Sequence, residues 1–146
     1  MQTNLTTPRN KEVNIKSQST PLRVLCVEDD RDTCDFLRFV MTNYDFQPVH
    51  TIAAAVDLIA DRPFDLYVLD NWLPDGSGIE LCKYIRNTDS NVPIIFTSAI
   101  GQRQDIDLAI EAGANRYLVK PYEPDALLQA VKELLNNPTG DLVFKS

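Results

Sequence analysis

Short apolar runs typical of β-strands alternate five times with stretches of helical spacing along this chain of 146 residues. The strands are predicted at residues 22–27, 46–50, 64–69, 92–97 and 116–119. The helices are predicted at residues 32–42, 53–60, 79–86, 105–112 and 124–135. The third strand is almost continuously apolar, as expected for a strand that is covered on both faces. The alternation therefore predicts an α/β fold, a doubly wound, five-stranded parallel sheet with five helices on its two faces.

The two ends of the chain differ in composition from this alternating region. Residues 1–20 are rich in Thr, Asn, Gln, Ser and Lys, which predicts a disordered leader before one domain at residues 21–136. Residues 137–146 are predicted to form a C-terminal tail. No apolar run approaches the ~18 residues that cross a bilayer, and the N-terminus lacks the layout of a signal peptide. We therefore expect a cytoplasmic protein that does not insert into membranes.

The charge and the cysteines exclude several classes of function. The net charge is −7, and residues 1–20 hold three basic residues and one acidic residue, while residues 137–146 hold one of each. Residues 21–136 thus carry a net charge of −9, which predicts no direct binding of nucleic acid. Cys26, Cys34 and Cys82 form no CxxC pair, so we expect buried, reduced thiols and no zinc site.

Charged and polar side chains follow four of the five predicted strands. They are Glu28, Asp29 and Asp30 after the first strand, Asp70 after the third, Thr97 and Ser98 after the fourth, and Lys120 after the fifth. Any one of these acids alone would most often be an ordinary loop or helix-cap residue. In open α/β sheets, however, functional sites form beyond the carboxyl ends of the strands. The four strand ends together therefore predict a site at this edge.

The residue types at this edge indicate a chemistry. Crowded carboxylates repel one another and are forced to bind protons unless a cation neutralises them. A hard divalent ion with oxygen ligands, such as Mg²⁺, relieves that repulsion. Such an ion, an ammonium group and a hydroxyl donor together suit a phosphoryl group in transfer, and aspartate is a known covalent acceptor of that group. The sequence thus predicts an aspartyl phosphate at one of these carboxylates.

Four segments of the chain, in order and with matching spacing, resemble the receiver domains of two-component response regulators. They are residues 24–30 (VLCVEDD), 65–78 (DLYVLD and LPDGSG), 92–99 (VPIIFTSA) and 112–121 (AGANRYLVKP). The resemblance covers about residues 22–136 and implies a flavodoxin-like strand order, 2-1-3-4-5. It also implies a signalling domain that catalyses only its own phosphorylation and dephosphorylation, and not an enzyme with other substrates.

The resemblance implies a role for each residue of the acidic edge. Asp70 would be the phospho-acceptor, and Lys120 would pair with it before the transfer and with the phosphoryl group afterwards. A Mg²⁺ or Mn²⁺ ion would be bound by Asp29, Asp70 and the backbone carbonyl of Trp72, with Glu28 acting through water.

A switch is implied as well. Ser98 would bond a phosphoryl oxygen, and the ring of Tyr117 would turn inward when Ser98 moves.

We expect a partner to dock on the face formed by the last two helices and the last strand, which carries Asp105, Asp107, Glu111 and Arg116. Arg116 replaces an acid that is frequent in the DNA-binding subfamily, which weakens the case for that subfamily's dimer surface. Asp30 is expected to cap a helix.

The implied partners are a sensor histidine kinase or histidine phosphotransfer protein, a downstream output protein and a second copy in a phosphorylation-dependent homodimer. The main alternative is a receiver-like interaction module that acts without phosphorylation, although such modules tend to lose part of the acid, hydroxyl and lysine set. A phosphatase that forms an aspartyl phosphate would have a second acid where Trp72 stands. A nucleotide-binding switch would have a GxxxxGK[ST] loop, which the sequence lacks.

Overall fold

The computed structural model describes residues 20–136. Five strands in that range form one parallel sheet: β1 (Arg23–Val27), β2 (Asp45–Val49), β3 (Leu66–Asp70), β4 (Ile94–Ser98) and β5 (Arg116–Val119). Their order across the sheet is β2-β1-β3-β4-β5, which confirms the predicted order. Strand β3 therefore lies in the middle of the sheet, and Asp70 is its last residue.

Five helices connect the strands: α1 (Arg31–Val40), α2 (Ile52–Asp61), α3 (Gly78–Thr88), α4 (Arg103–Ala112) and α5 (Pro124–Asn136). The side chains of Asp30, Thr51 and Ser77 accept backbone hydrogen bonds at the N-termini of α1, α2 and α3. The Asp30 cap was predicted from the sequence. Gly113 ends α4 with a φ of 118°, in the left-handed region that glycine adopts at low cost.

The core has two parts, one on each face of the sheet. On one face, alternate residues of the strands pack against α2, α3 and α4, through side chains such as Ile59, Leu81 and Ile106. On the other face, the intervening strand residues pack against α1 and α5, through side chains such as Leu37 and Leu127. Because helices cover both faces, the central strands are buried along their whole length. The predicted doubly wound architecture is thus confirmed.

Two local features differ from the sequence prediction. The third strand begins at Leu66 and not at Phe64, whose N–H donates to the hydroxyl of Tyr67 at 3.2 Å. The segment after β3, which the sequence assigned to no element, contains a small antiparallel hairpin, Trp72–Leu73 paired with Gly76–Ser77. The ring of Phe64 is nevertheless buried in the core, edge-to-face with Tyr67, and it also lies 4.0 Å from the guanidinium of Arg23.

The first helix buries only part of its apolar surface. Leu37 and Met41 reach the core, together with Cys34, whereas Phe36 is 52% exposed and Phe39 is 80% exposed. The sheet takes only one stripe of α1, so the residues outside that stripe face solvent.

All three cysteines are buried free thiols, as the sequence predicted. Within residues 20–136, none of the helices combines the length and apolar character needed to cross a membrane. The predicted leader, apart from Thr20, and the predicted C-terminal tail lie outside the described residues.

Candidate functional site

Three acids meet at the carboxyl edge of the sheet. Glu28 directly follows β1 and is 3% exposed, Asp29 next to it faces solvent, and Asp70 ends the neighbouring strand β3 with 5% exposure. One carboxylate oxygen from each of the three lies within 4.8 Å of the others. The parallel pairing of β1 with β3 places both strand ends at the same edge. The structure therefore brings together the three acids that the sequence predicted.

Lys120 reaches this group from the end of β5. Its Nζ lies 2.8 Å from Glu28 Oε1 and 3.5 Å from Asp70 Oδ1, so Glu28 is its nearer partner. Burial lowers the pKa of the ammonium, but the hydrogen bond to Glu28 and the charge of Asp70 outweigh burial and raise the pKa above its ordinary value. Lys120 is therefore a cation at neutral pH, set between two carboxylates. The peptide bond between Lys120 and Pro121 is cis.

The surroundings of Asp70 disfavour the negative charge of its carboxylate. Burial, and then the charge of Glu28, raise its pKa from 3.8 to about 6. Lys120 and the backbone N–H of Trp72 act in the opposite direction and offset part of this rise. Asp70 is thus ionised at neutral pH in a place that disfavours its charge, and additional positive charge nearby would stabilise it.

The donor set fits a hard divalent cation. It consists of carboxylate oxygens, which Mg²⁺ and Mn²⁺ prefer, and it includes neither sulfur nor imidazole. Within residues 20–136, no other group of three or more acidic, cysteine or histidine side chains is arranged to hold an ion. Trp72, whose carbonyl was predicted as a further ligand, begins the hairpin two residues after Asp70. The roles of these four residues as ligands stay predictions.

The predicted switch residues lie at the ends of the next two strands. Ser98 ends β4 with no exposed surface, and its Oγ accepts the Ile100 N–H at 3.1 Å. Tyr117 was expected to turn inward only when Ser98 moves. In the structure its ring is already buried, stacked on Phe96 at a centroid distance of 6.2 Å. Its hydroxyl donates to the Ile100 carbonyl at 2.6 Å, which holds the ring in this inward position. The coupling of the ring to a movement of Ser98 stays a prediction.

The structure corrects the predicted position of Arg116. It was predicted on an exposed docking face, yet it is only 7% exposed. Its side chain lies on the face of β5 that α5 covers, where its Nη2 is 3.5 Å from Glu133 Oε1 and its Nη1 donates to the Asn115 carbonyl at 3.0 Å. Alternation along β5 explains the position, because Tyr117 points to the opposite core. The predicted docking face therefore keeps its acids but loses this cation.

Sequence reasoning missed the residues that fix the loop after Asp70. A Cβ atom on Gly78 would lie 2.4 Å from the Asp70 carbonyl oxygen, and the Gly78 N–H donates to the Asn71 carbonyl at 3.0 Å. Asp75, in the turn of the hairpin, bonds the N-terminus of α2. The sequence assigned no role to either residue, and the partners of Asp75 lie in a distant segment of the chain.

Comparison with known proteins places this geometry in a family. The family model of the response regulator receiver domain matches residues 24–132. Response regulator ArlR of Staphylococcus epidermidis is 32% identical over 123 residues, which are 82% of this chain and 56% of ArlR. Response regulator MprA of Mycolicibacterium vanbaalenii is 36% identical over 124 residues, which are 83% of this chain and 53% of MprA. The chain thus spans about half the length of these two relatives.

Solved structures of response regulators have the same fold. The receiver domain protein (CheY-like) from Methanospirillum hungatei superposes with a TM-score of 0.77 at 26% identity, over 82% of this chain and 97% of that protein. The sequence match and the superposition extend over the strands that build the sheet and its acidic edge. The chain therefore belongs to the response regulator receiver domain family, the signalling domains of two-component systems.

Proposed function

We propose that this domain is a phosphorylation switch in which Asp70 accepts a phosphoryl group from a phosphohistidine of a sensor histidine kinase or a histidine phosphotransfer protein. The main support is the meeting of three carboxylates with an ammonium group, whose Nζ lies 3.5 Å from Asp70 Oδ1. In the step, an Asp70 oxygen attacks phosphorus and the bond from phosphorus to the donor imidazole breaks. The imidazole nitrogen leaves with the electron pair of that bond.

The residues around Asp70 prepare this step. Because the pKa of Asp70 is about 6, its carboxylate is ionised and nucleophilic at neutral pH. Lys120 holds a positive charge beside the acceptor and is available to the oxygens of the incoming group. Ser98, at the end of the neighbouring strand, supplies a hydroxyl donor to a phosphoryl oxygen. Asp29, Asp70 and the Trp72 carbonyl, with Glu28 acting through water, would hold a Mg²⁺ or Mn²⁺ ion, which would supply positive charge to the phosphoryl oxygens.

Phosphorylation by a small donor tests the proposal. The chain is incubated with acetyl phosphate and Mg²⁺, and intact-mass spectrometry measures the gain of one phosphoryl group. Asp70→Asn should abolish the gain, whereas Asp107→Asn, which changes an exposed acid on α4, should keep it. Stoichiometric labelling of the Asp70→Asn variant would contradict the assignment. A wild type that is never labelled would favour the alternative, an interaction module that acts without phosphorylation.

We further propose that phosphorylation changes the surface formed by α4, β5 and α5, which binds a downstream output protein or a second copy of the domain. Asp105, Asp107 and Glu111 give this surface its acidic character. The functional unit is residues 21–136, flanked by the leader and the tail, and it acts in the cytoplasm.

A further inference from the structure

The N-terminus of α2 receives its negative charge from a different loop. The other four helices each carry an acid in their first turn, whereas α2 has none. Asp75, in the turn of the hairpin after β3, takes this place. Its Oδ1 accepts the Ile52 N–H at 2.8 Å, and its Oδ2 accepts the Ala53 N–H at 3.0 Å. These two bonds lower the pKa of Asp75, as expected for a carboxylate at a helix N-terminus.

A second contact fixes the hairpin against the same turn of helix. Gly76, next to Asp75, has a φ of 154°, and a Cβ atom there would lie 2.7 Å from Ile52 Cδ1. The hairpin therefore lies directly on the first residue of α2. Since Thr51 Oγ1 accepts the Ala54 N–H at 3.1 Å, each of the first three N–H groups of α2 has a partner. Two of those three acceptor atoms belong to Asp75, in the turn of the hairpin.

The segment just before α2 is bonded to the loop after β1, which carries Glu28 and Asp29, here called the β1 acids. The Glu28 N–H donates to the Val49 carbonyl at 2.9 Å, and His50 Nδ1 lies 2.9 Å from the Glu28 carbonyl oxygen. A carbonyl oxygen only accepts, so Nδ1 carries the proton and donates it to this bond. Residues 49–53 are thus bonded at one end to the Glu28 backbone and at the other end to Asp75. This segment joins the two loops that carry the predicted ligands.

We infer that Asp75 is a positioning residue that sets the separation between the β1 acids and the hairpin beginning at Trp72, and thereby the affinity of the site for a divalent cation. The inference rests on the proposed function. Mg²⁺ requires near-ideal geometry at about 2.0–2.1 Å, so a small displacement of one ligand costs affinity. Side chains bonded directly to metal ligands are typically worth about 10–100-fold in affinity, and the effect of Asp75 should lie at the lower end of this range because Asp75 acts through the backbone of α2 and of the hairpin. We therefore expect Asp75→Ala to weaken Mg²⁺ binding about tenfold, although Asp75 does not contact the ion.

The test is a Mg²⁺ titration of the full, unphosphorylated chain. Trp72 is the only tryptophan, so its emission reports Mg²⁺ binding. The Mg²⁺ concentration at the titration midpoint, and not the amplitude of the signal, is compared between variants. The matched control is Asp89→Ala. The carboxylate of Asp89 also accepts two backbone N–H groups, those of Asn91 at 2.9 Å and Val92 at 3.0 Å, but in the loop before β4, at the opposite edge of the sheet.

Both substitutions should lower the thermal midpoint without Mg²⁺, since each leaves two backbone N–H groups without their carboxylate. Only Asp75→Ala should shift the Mg²⁺ midpoint. Asp75→Asn retains one carbonyl acceptor and should bind with an intermediate affinity, and it replaces the alanine variant if that variant does not fold.

An unchanged Mg²⁺ midpoint in a folded Asp75 variant would contradict the inference. Equal weakening in the Asp89→Ala control would also contradict it, because the effect would then reflect general stability. A wild type whose emission and thermal midpoint both ignore saturating Mg²⁺ would instead contradict the proposed function, and this inference with it.

Discussion

Replacing Asp70 by asparagine should stabilise the domain when no divalent cation is present. The side chain is 5% exposed, and burial followed by the charge of Glu28 raises its pKa to about 6. At neutral pH the folded chain therefore holds a charge that its surroundings disfavour, whereas the unfolded chain exposes the same charge to water. Asparagine has nearly the same shape and no charge, so the substitution removes this penalty.

The size of the effect follows from the pKa. A rise from 3.8 to about 6 corresponds to about 3 kcal/mol in the free energy of unfolding at neutral pH. That figure is an upper value, because the site lies at the edge of the sheet near solvent and the new amide must find its own hydrogen bonds. We expect Asp70→Asn to gain about 1–2 kcal/mol.

The dependence on pH gives the effect a signature. Between the ordinary pKa of 3.8 and the folded value of about 6, folded Asp70 keeps its proton while the unfolded chain has lost it. The contribution of Asp70 to stability therefore falls as the pH rises through this window, and it stays at its lowest value above pH 6. The stability of the Asp70→Asn variant lacks this fall. Its gain in stability over the wild type should therefore be small near pH 3.8 and complete above about pH 6.

Urea unfolding in EDTA, followed by Trp72 emission at several pH values, measures this difference. The exposed control Asp107→Asn should stay within about 0.5 kcal/mol of the wild type. Mg²⁺ should then reduce the advantage of the Asp70 variant, because the cation stabilises the wild type alone. A variant no more stable than the wild type at neutral pH, or an advantage that is the same at all pH values, would refute the reasoning.

Three further predictions concern the surroundings of the acceptor. Trp72→Asn combined with Ile100→Glu should shorten the lifetime of the aspartyl phosphate, because polar side chains there can orient the attacking water; intact-mass decay curves measure this, and equal lifetimes argue against it. Gly78→Ala should destabilise the domain by about 1–3 kcal/mol in urea unfolding, since its Cβ would lie 2.4 Å from the Asp70 carbonyl oxygen. Ser98→Ala should still accept the phosphoryl group but lose the response of a partner in a binding assay; an unchanged response would remove Ser98 from the mechanism.

The sequence predicted the sheet and its acids because both depend on local patterns. Runs of apolar residues marked the strands, and the residue that follows a parallel strand must lie at the carboxyl edge of the sheet. Glu28, Asp29 and Asp70 could therefore be placed together without knowing any side-chain contact. The cap of Asp30 on α1 was predicted for a similar reason, since a cap bonds its own helix three residues on.

Contacts between distant segments were not predictable in this way. Asp75 caps a helix that begins 23 residues earlier, and only the absence of an acid in the first turn of α2 hinted at it. Arg116 is charged and was therefore expected at the surface, but strand alternation places it beneath α5. Phe36 is apolar but exposed, because it lies outside the stripe of α1 that meets the sheet.

The strand order also determines which parts of this edge can fluctuate most easily. Strands β1 and β3, which carry the β1 acids and Asp70, are each hydrogen-bonded on both sides, whereas β5, which leads to Lys120, is bonded on one side. Detaching the whole of β1 or β3 requires two ladders to open, whereas detaching β5 requires only one. We therefore expect the backbone that carries the acceptor to exchange more slowly than the backbone that leads to the lysine. Local opening at this edge can release the cationic partner while the carboxylates keep their arrangement.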